Sequence, residues 1–170
     1  MNRRFVLSIP VLAALAACAT PEPPRLGSDG KPLARLYRIN SADTAEIQFR
    51  MLDSVNALRQ AAGAVPLQLN AELNAAAATH SRDMAVQNRP WHFGSDGSSL
   101  LDRVQRVGYT GAPLGENISE TYETEIETLA AWATDPVQRD VMTDPRARHL
   151  GFAWFQEDSG KIWWTLVTGA

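Results

Sequence analysis

The chain has 170 residues, the size of one domain with a short leader. Hydrophobic residues make up 45% and charged residues 21% of it, which excludes a largely disordered chain and a multi-span membrane protein. The formal net charge is -3, so the chain lacks the basic excess of a nucleic-acid-binding protein.

The first residues form an export signal. Arg3 and Arg4 precede the apolar run from Phe5 to Leu15, which is too short to span a bilayer. The paired arginines also fit a twin-arginine signal, although two basic residues are common at this position. We therefore expect the chain to leave the cytoplasm.

The end of this leader, Leu15-Ala16-Ala17-Cys18, contains the only cysteine of the chain. It resembles the lipobox of bacterial lipoproteins, which implies a signal peptide of residues 1–17 and acylation of Cys18 as a membrane anchor. The alternative is a conventional cleavage site followed by a small buried cysteine. Ala19 is similar to the residue found in lipoproteins that reach the outer membrane, which implies its periplasmic face. Without the leader, basic residues fall from 16 to 14 against 19 acidic ones, so the net charge becomes -5 and nucleic acid is an unfavourable partner.

Residues 18–40 carry prolines and little periodicity, which is typical of a tether. At roughly 3.1 Å per residue, such a segment would reach about 60 Å from the membrane. Alternatively, Leu33 to Ile39 could pack onto the domain as a strap. Residues 41–170 should form one domain that folds alone as a monomer.

Two long helices open this domain. Apolar residues at helical spacing predict the first from Thr44 to Ala62, with a capping box of Asp43 and Glu46. The second begins at Asn70 as N-cap and ends before Pro90. Its apolar stripe includes His80, which we expect to be a buried structural histidine.

The second half of the domain mixes strands and helices. We predict a helix over 98–107, a loop over 108–115, a strand over 116–122 and a helix over 123–133. The acidic residues at the start of this last helix interact favourably with the helix dipole. Asp135 and Pro136 then predict one short helical turn. Two strands, 149–156 and 161–168, form a hairpin, so the order of elements indicates a sheet covered by helices on both faces.

Polar residues on three separate elements mark a candidate cleft: His92 in a loop, Glu116 on a strand, and Asp135 with Gln138 on the short turn. The chain contains no Gly-x-Ser-x-Gly, no His-Glu-x-x-His and no catalytic cysteine. These residues therefore indicate a site without a recognisable nucleophile.

Motifs in a fixed order extend from Asn56 to Thr168: Asn56-x-x-Arg59, Pro66-Leu67, the His92 loop, Gly115-Glu116-Asn117-Ile118, Trp132 with Asp135-Pro136, and Leu150-Gly151-Phe152. Together they resemble the CAP superfamily of cysteine-rich secretory, antigen 5 and pathogenesis-related proteins. The resemblance implies an α/β fold, a three-layer α-β-α sandwich with a mainly antiparallel central sheet and a central cleft.

The resemblance also implies the identity of the cleft residues. Family clefts carry two histidines and two acids, which in several members bind zinc or a similar ion. His92 and Glu116 match the first histidine and the glutamate, Asp135 stands at the second acid, and Gln138 replaces the second histidine. One imidazole with carboxylates and an amide is a weak zinc site. We therefore expect no cofactor, or at most a weakly bound divalent metal such as zinc at His92, Glu116 and Asp135, with His149 as a possible substitute ligand.

Three functions fit these residues. The first is a non-catalytic cleft module at the cell envelope that binds a small apolar or glycan ligand, a lipid or an envelope protein. The second is a hydrolase with His92 as general base and Glu116 as its partner, assisted by a metal or not. The third is a purely structural envelope protein, which would leave the clustered polar residues without a role.

The lipobox leads to a direct prediction about the membrane anchor. Cys18→Ser should release the domain from the membrane fraction or leave an unprocessed precursor, because no thiol remains to be acylated. Fractionation and immunoblotting measure this. A variant that is processed and stays membrane-bound like the wild type would contradict the lipoprotein interpretation.

Overall fold

The computed structural model describes residues 37–170. The predicted signal peptide 1–17, Cys18 and the segment up to residue 36 lie outside the described residues. After a 3-10 turn at Ser41–Asp43, the elements are α1 (Thr44–Ala61), β1 (Gln68–Leu69), α2 (Ala71–Gln87), α3 (Leu100–Arg106), β2 (Pro113–Ser119), α4 (Glu125–Thr134), α5 (Pro136–Thr143), β3 (His149–Gln156) and β4 (Ile162–Gly169). In this part of the chain, no helix is both long and apolar enough to cross a membrane.

The central sheet has the strand order β1-β3-β4-β2. Helices α2 and α3 cover one face, and α1, α4 and α5 cover the other, so the predicted three-layer sandwich is confirmed. The sheet is mixed rather than mainly antiparallel, because β1 pairs with β3 in parallel while β3–β4 and β2–β4 are antiparallel. The parallel pairing of β1 with β3 follows from the path of the chain between α1 and α2. These helices lie on opposite faces, so the chain passes the sheet edge extended, and the Gln68 and Asn70 amides donate to carbonyls of Arg148 and Leu150.

Element boundaries follow local chemistry with three departures from the sequence prediction. Asn70 caps α2 as expected, accepting from the Leu73 amide at 2.8 Å. Asp43 forms no capping box, because it lies in the helical backbone of the 3-10 turn. β2 begins at Pro113 and ends at Ser119, earlier than predicted; it is one of the two edge strands of the sheet, where a proline is tolerated. α5 extends to Thr143 instead of stopping after one turn.

The larger core cluster is built on aromatic rings. Trp132 of α4 is 1% exposed and donates its indole N–H to the Ile118 carbonyl at 3.2 Å. Its ring meets Phe152 edge-on, and Phe152 stacks on Trp164 at 5.6 Å between centroids. Trp132 therefore anchors this core cluster, and its indole also ties α4 to the strand that carries Glu116.

The chain reaches this core from its amino-terminal side at residue 37. Tyr37 and Ile39 pack against the aromatic cluster, and both bond the side-chain amide of Gln156 through their backbone, at 2.8 Å and 3.0 Å. Arg38 donates to the carbonyls of Glu157 and Asp158 in the β3–β4 turn. Part of the strap segment therefore contacts the domain, and residues 33–36 lie outside the description.

A buried arginine joins three parts of the chain. Arg59 on α1 is fully buried, and its guanidinium donates to the carbonyls of Val65, Met142, Asp144 and Ala147 at 2.7 to 3.2 Å. Burial lowers the pKa of this arginine. These bonds fix the end of α5 and the start of β3 relative to α1, and so set the position of one cleft wall.

We predict that Arg59→Met lowers the free energy of unfolding by about 3 kcal/mol or more, because each buried carbonyl left without a donor costs about 1 to 3 kcal/mol. Urea denaturation followed by tryptophan fluorescence measures the change. The matched control is Arg139→Met, which removes an exposed guanidinium with one carbonyl contact, to Ala133 at 3.1 Å. Equal losses in the two variants would show that the Arg59 contacts do not stabilise the fold.

Candidate binding cleft

The buried carboxylate of Glu116, in the middle of β2, organises the site. Glu116 is 8% exposed. Its Oε1 accepts from His92 Nδ1 at 2.9 Å, and its Oε2 accepts from Arg103 Nη2 at 2.6 Å. Burial raises the pKa of Glu116. The His92 hydrogen bond and the positive charge of Arg103 lower this pKa by more than burial raises it, so it lies below its usual value. The carboxylate is therefore ionised at neutral pH.

A second histidine, His80 of α2, lies beside this carboxylate. It is fully buried, with Nε2 3.0 Å from the Trp91 carbonyl and 3.6 Å from Glu116 Oε1. Burial lowers the pKa of His80, against the opposing effect of Glu116. A neutral His80 thus donates to Trp91, and the structural role predicted for it includes holding the loop that carries His92.

The His92 backbone is fixed from two helices while its side chain stays open to solvent. Arg103 Nη1 donates to the His92 carbonyl at 3.0 Å, and Gln87 Nε2 donates to the Phe93 carbonyl at 3.2 Å. The His92 side chain is 58% exposed. Because Nδ1 donates to Glu116, Nε2 is the nitrogen left to accept a hydrogen bond from a ligand.

The opposite wall comes from the start of α5. Asp135 Oδ1 accepts from the Val137 amide at 2.8 Å, which makes Asp135 the N-cap of this helix. Asn117 Nδ2 donates to the Gln138 carbonyl at 2.8 Å. This bond ties α5 to β2 and places the Gln138 side chain on the cleft.

The two walls enclose a cleft of about 640 Å³. Hydrogen-bonding side chains dominate its lining, and Glu116 lies beneath it in contact with His92. The lining residues are Pro90, Trp91, His92, Ile118, Ser119, Glu120, Thr121, Tyr122, Ala131, Trp132, Thr134, Asp135 and Gln138.

The structure therefore brings His92, Asp135 and Gln138 to one cleft, with Glu116 bonded to His92 from below. His149, the first residue of β3, lies elsewhere: its Nδ1 is 2.9 Å from the Tyr109 hydroxyl. It does not line the cleft, so it does not complete the set of four.

Sequence reasoning missed Arg103, which is 5% exposed and bridges Glu116 and the His92 loop. A signal for it was present. Arg103 lies between Leu100 and Val107 on the apolar stripe of its helix, and an arginine on a buried stripe needs a partner.

The donor groups fit a metal ion poorly. His92 and Arg103 engage both oxygens of Glu116, and the positive charge of Arg103 opposes a divalent cation at that carboxylate. Asp135 is engaged as an N-cap. Within residues 37–170, no three His, Cys, Asp or Glu side chains are grouped closely enough to hold an ion.

Comparison with known proteins assigns this architecture to a family. The sequence profile of the cysteine-rich secretory protein family (CAP) matches residues 52–168. The chain belongs to this family. Among its relatives, "Uncharacterized protein YkwD" of Bacillus subtilis (strain 168) is 30% identical over 114 residues, which are 67% of this chain and 44% of the relative. The chain thus spans less than half the length of that protein.

Two solved structures share the CAP fold of this chain. An outer surface protein from Borrelia burgdorferi aligns with a TM-score of 0.67 at 14% identity, over 75% of this chain and 94% of its own. An extracellular protein containing an SCP domain from Bacillus anthracis str. Ames aligns with a TM-score of 0.66 at 20% identity, over 77% of this chain and 44% of its own. At these identities, the likeness supports the fold alone.

The cleft geometry predicts how zinc affinity should respond to substitution. The wild type should bind zinc weakly, and Gln138→His should raise the affinity by orders of magnitude, because an imidazole would replace a neutral amide opposite His92 Nε2. Calorimetric titration measures both.

The control for this prediction is Gln138→His combined with His92→Ala, which should lose the gain if the two side chains face one ion. Tight binding by the wild type would show that other residues supply the ligands. An unchanged affinity in the single variant would show that positions 92 and 138 do not converge on one point.

Proposed function

We propose that the protein is an extracytoplasmic, lipid-anchored, monomeric CAP-family module whose cleft binds a glycan without transforming it. The export signal and the lipobox at Cys18 support the location and the anchor. The names of two structural relatives, an outer surface protein and an extracellular protein, agree with a place outside the cytoplasm.

The observation that carries the glycan proposal is the polar lining of the cleft. Hydroxyl, carboxylate and amide groups of Ser119, Thr121, Thr134, Asp135 and Gln138 surround a volume suited to a small ligand. Sugar hydroxyls both donate and accept hydrogen bonds, as do the hydroxyl and amide groups here. An apolar ligand would desolvate these groups and leave without a partner the hydrogen-bonding positions that the protein itself does not fill, at a cost for each.

His92 has a defined part in this binding. Glu116 holds Nδ1 protonated, so Nε2 is an acceptor aimed away from the carboxylate. A ligand hydroxyl donating to Nε2 would meet a ring already oriented by Glu116, and the backbone of its loop is held by Arg103. Such a rigid acceptor loses little freedom on binding.

The same pair favours a second candidate, a hydrolase. A carboxylate that orients a histidine whose other nitrogen is open is the arrangement of a general base. Water would then be the nucleophile, since within residues 37–170 no cysteine lines the cleft and His92 makes no hydrogen bond to a serine. This candidate requires turnover of the ligand, which distinguishes it from binding alone.

We expect His92→Ala and Gln138→Ala each to weaken binding of N-acetylglucosamine oligosaccharides by a few-fold to about tenfold, since each removes a hydrogen bond worth about 0.5 to 1.5 kcal/mol. Isothermal titration calorimetry measures the affinity. Gln105→Ala is the matched control, because Gln105 is exposed on α3 and does not line the cleft.

Mass spectrometry of the oligosaccharide after incubation separates the two candidates. An intact ligand supports the binding module, whereas cleavage that is lost in Glu116→Gln would establish the hydrolase. Failure of the wild type to bind the oligosaccharides, or equal affinities in all variants, would contradict the glycan proposal.

A further inference from the structure

The carboxyl-terminal half of α2 presents basic and apolar side chains on one exposed side. Arg82 and Val86 are four residues apart on α2, so they share one face of the helix, and Arg89 follows just after the helix ends at Asn88. Val86 is 78% exposed. Phe93, in the loop that follows, is 49% exposed and lies against Trp91 at 5.4 Å between ring centroids.

Each basic group at this end is paired with an aromatic ring. Arg82 lies 4.8 Å from the centroid of Phe155, and Arg89 lies 3.9 Å from that of Trp91. Lys161 in the β3–β4 turn lies 3.8 Å from the centroid of Trp163. We call the combined surface of Arg82, Val86, Arg89, Trp91, Phe93, Phe155 and Lys161 the aromatic-basic surface.

The three basic residues lie at the same end of the sheet, because α2 ends beside the β3–β4 hairpin. Lys161 Nζ lies 3.4 Å from Oδ1 of Asn88, the residue that ends α2 in a left-handed conformation with φ of 48°. The end of the helix and the turn of the hairpin are therefore in contact at one end of the sheet.

The acidic side chains near the hairpin do not neutralise Arg82 and Arg89, because most of them are engaged elsewhere. Glu120 is paired with Lys161, and Glu157 accepts the Trp163 indole N–H at 2.7 Å. Within residues 37–170, Arg82 and Arg89 make no ion pair with a carboxylate. Asp158 is the exposed acid left in the turn, so two guanidinium groups beside exposed apolar side chains remain uncompensated.

The amino-terminal segment joins the domain at this same end. Arg38 bonds the carbonyls of Glu157 and Asp158, and Tyr37 bonds Gln156. The 36 residues before Tyr37 therefore connect to the domain at the hairpin turn. Trp91 also lines the cleft, so the aromatic-basic surface and the cleft adjoin.

We propose that the aromatic-basic surface rests on a bilayer that carries anionic phospholipid headgroups, and that it holds the cleft beside the membrane. Tryptophan, arginine and lysine favour the boundary between headgroups and acyl chains, where the rings and the charged heads are both accommodated. Val86 and Phe93 would lose their exposed apolar area there. This orientation rests on the proposed anchor, since a chain attached at Cys18 leaves the domain from the end that carries the surface.

The contribution of each arginine can be estimated. A basic residue near an anionic membrane contributes about 1 kcal/mol to binding. This corresponds to about a fivefold shift in the ratio of membrane-bound to unbound aromatic-basic surface. Arg82 and Arg89 together would thus shift that ratio about 25-fold, which is enough to select one orientation of a tethered domain.

The test uses the full chain on phosphatidylglycerol-containing vesicles, with a fluorescent probe on Val86→Cys or on the control Arg146→Cys. Arg146 is exposed and lies just before β3, at the opposite end of the sheet from the hairpin. Acylated Cys18 does not react with the probe. We expect an aqueous quencher to reach the probe at 86 several-fold less often than the probe at 146, and Arg82→Glu with Arg89→Glu to abolish the difference. Arg146→Glu with Arg148→Glu, the same charge change at the far end and tested with the probe at 86 alone, should leave that probe as well shielded as before.

Equal quenching at the two positions on vesicle-bound protein would overturn the proposed surface and leave the anchor standing. Shielding that persists on neutral phosphatidylcholine vesicles or in the Arg82→Glu, Arg89→Glu chain would overturn the role of anionic headgroups. Shielding of position 86 without vesicles would identify a second copy of the chain as the occupant.

If the chain proves not to be acylated, the anchor is wrong but the surface still stands on its own side chains. The same probes, placed in a Cys18→Ser background, are then mixed with the vesicles. Shielding at 86 that depends on Arg82 and Arg89 supports the surface, and its absence overturns it.

Discussion

The buried carboxylate of Glu116 is the interaction on which the rest of the site depends. Alternate residues of β2 point to opposite faces of the sheet, so Glu116 enters the layer of α2 and α3 while Asn117 reaches α5. The preceding residue, Gly115, has no room for a side chain, because a Cβ there would lie 2.8 Å from a methyl group of Val141. Three consecutive residues thus fix both helical layers to one strand, and the two cleft walls belong to those layers.

The two buried arginines solve the same problem of charge burial in different ways. Arg103 meets a carboxylate and two carbonyls, so its charge is neutralised where it is buried. Arg59 meets only carbonyls of neighbouring segments and distributes its charge over four dipoles. Arg103 sets the His92 wall and Arg59 sets the α5 wall, so the cleft geometry depends on two buried cations.

Most of the fold could be predicted from local signals. Helical periodicity located α1 and α2, turn chemistry located the hairpin, and the order of motifs indicated the family. The two-residue strand β1 could not be predicted, because its pairing depends on a neighbour 81 positions away in the chain, His149 opposite Gln68. The predicted start of β2 was wrong for the same reason, since the pairing of β2 with β4 outweighs the local Gly/Pro signal for a loop. Within the site, periodicity placed His80 in the core, but only the tertiary structure reveals that its Nε2 holds the loop of His92.

Side-chain amides, together with the short strand β1, cover the outer edge of β3. β1 pairs with it only at two positions, and beyond them side-chain amides replace a strand: Asn74 Oδ1 accepts from the Phe152 amide, and Gln48 Nε2 donates to the Phe152 carbonyl, both at 2.8 Å. Further along, Gln156 turns its own amide toward the backbone of Tyr37 and Ile39. An open strand edge is a template for pairing with another chain. Here glutamine and asparagine side chains occupy backbone groups of that edge, so pairing of this edge of the sheet with another chain is disfavoured without an additional strand.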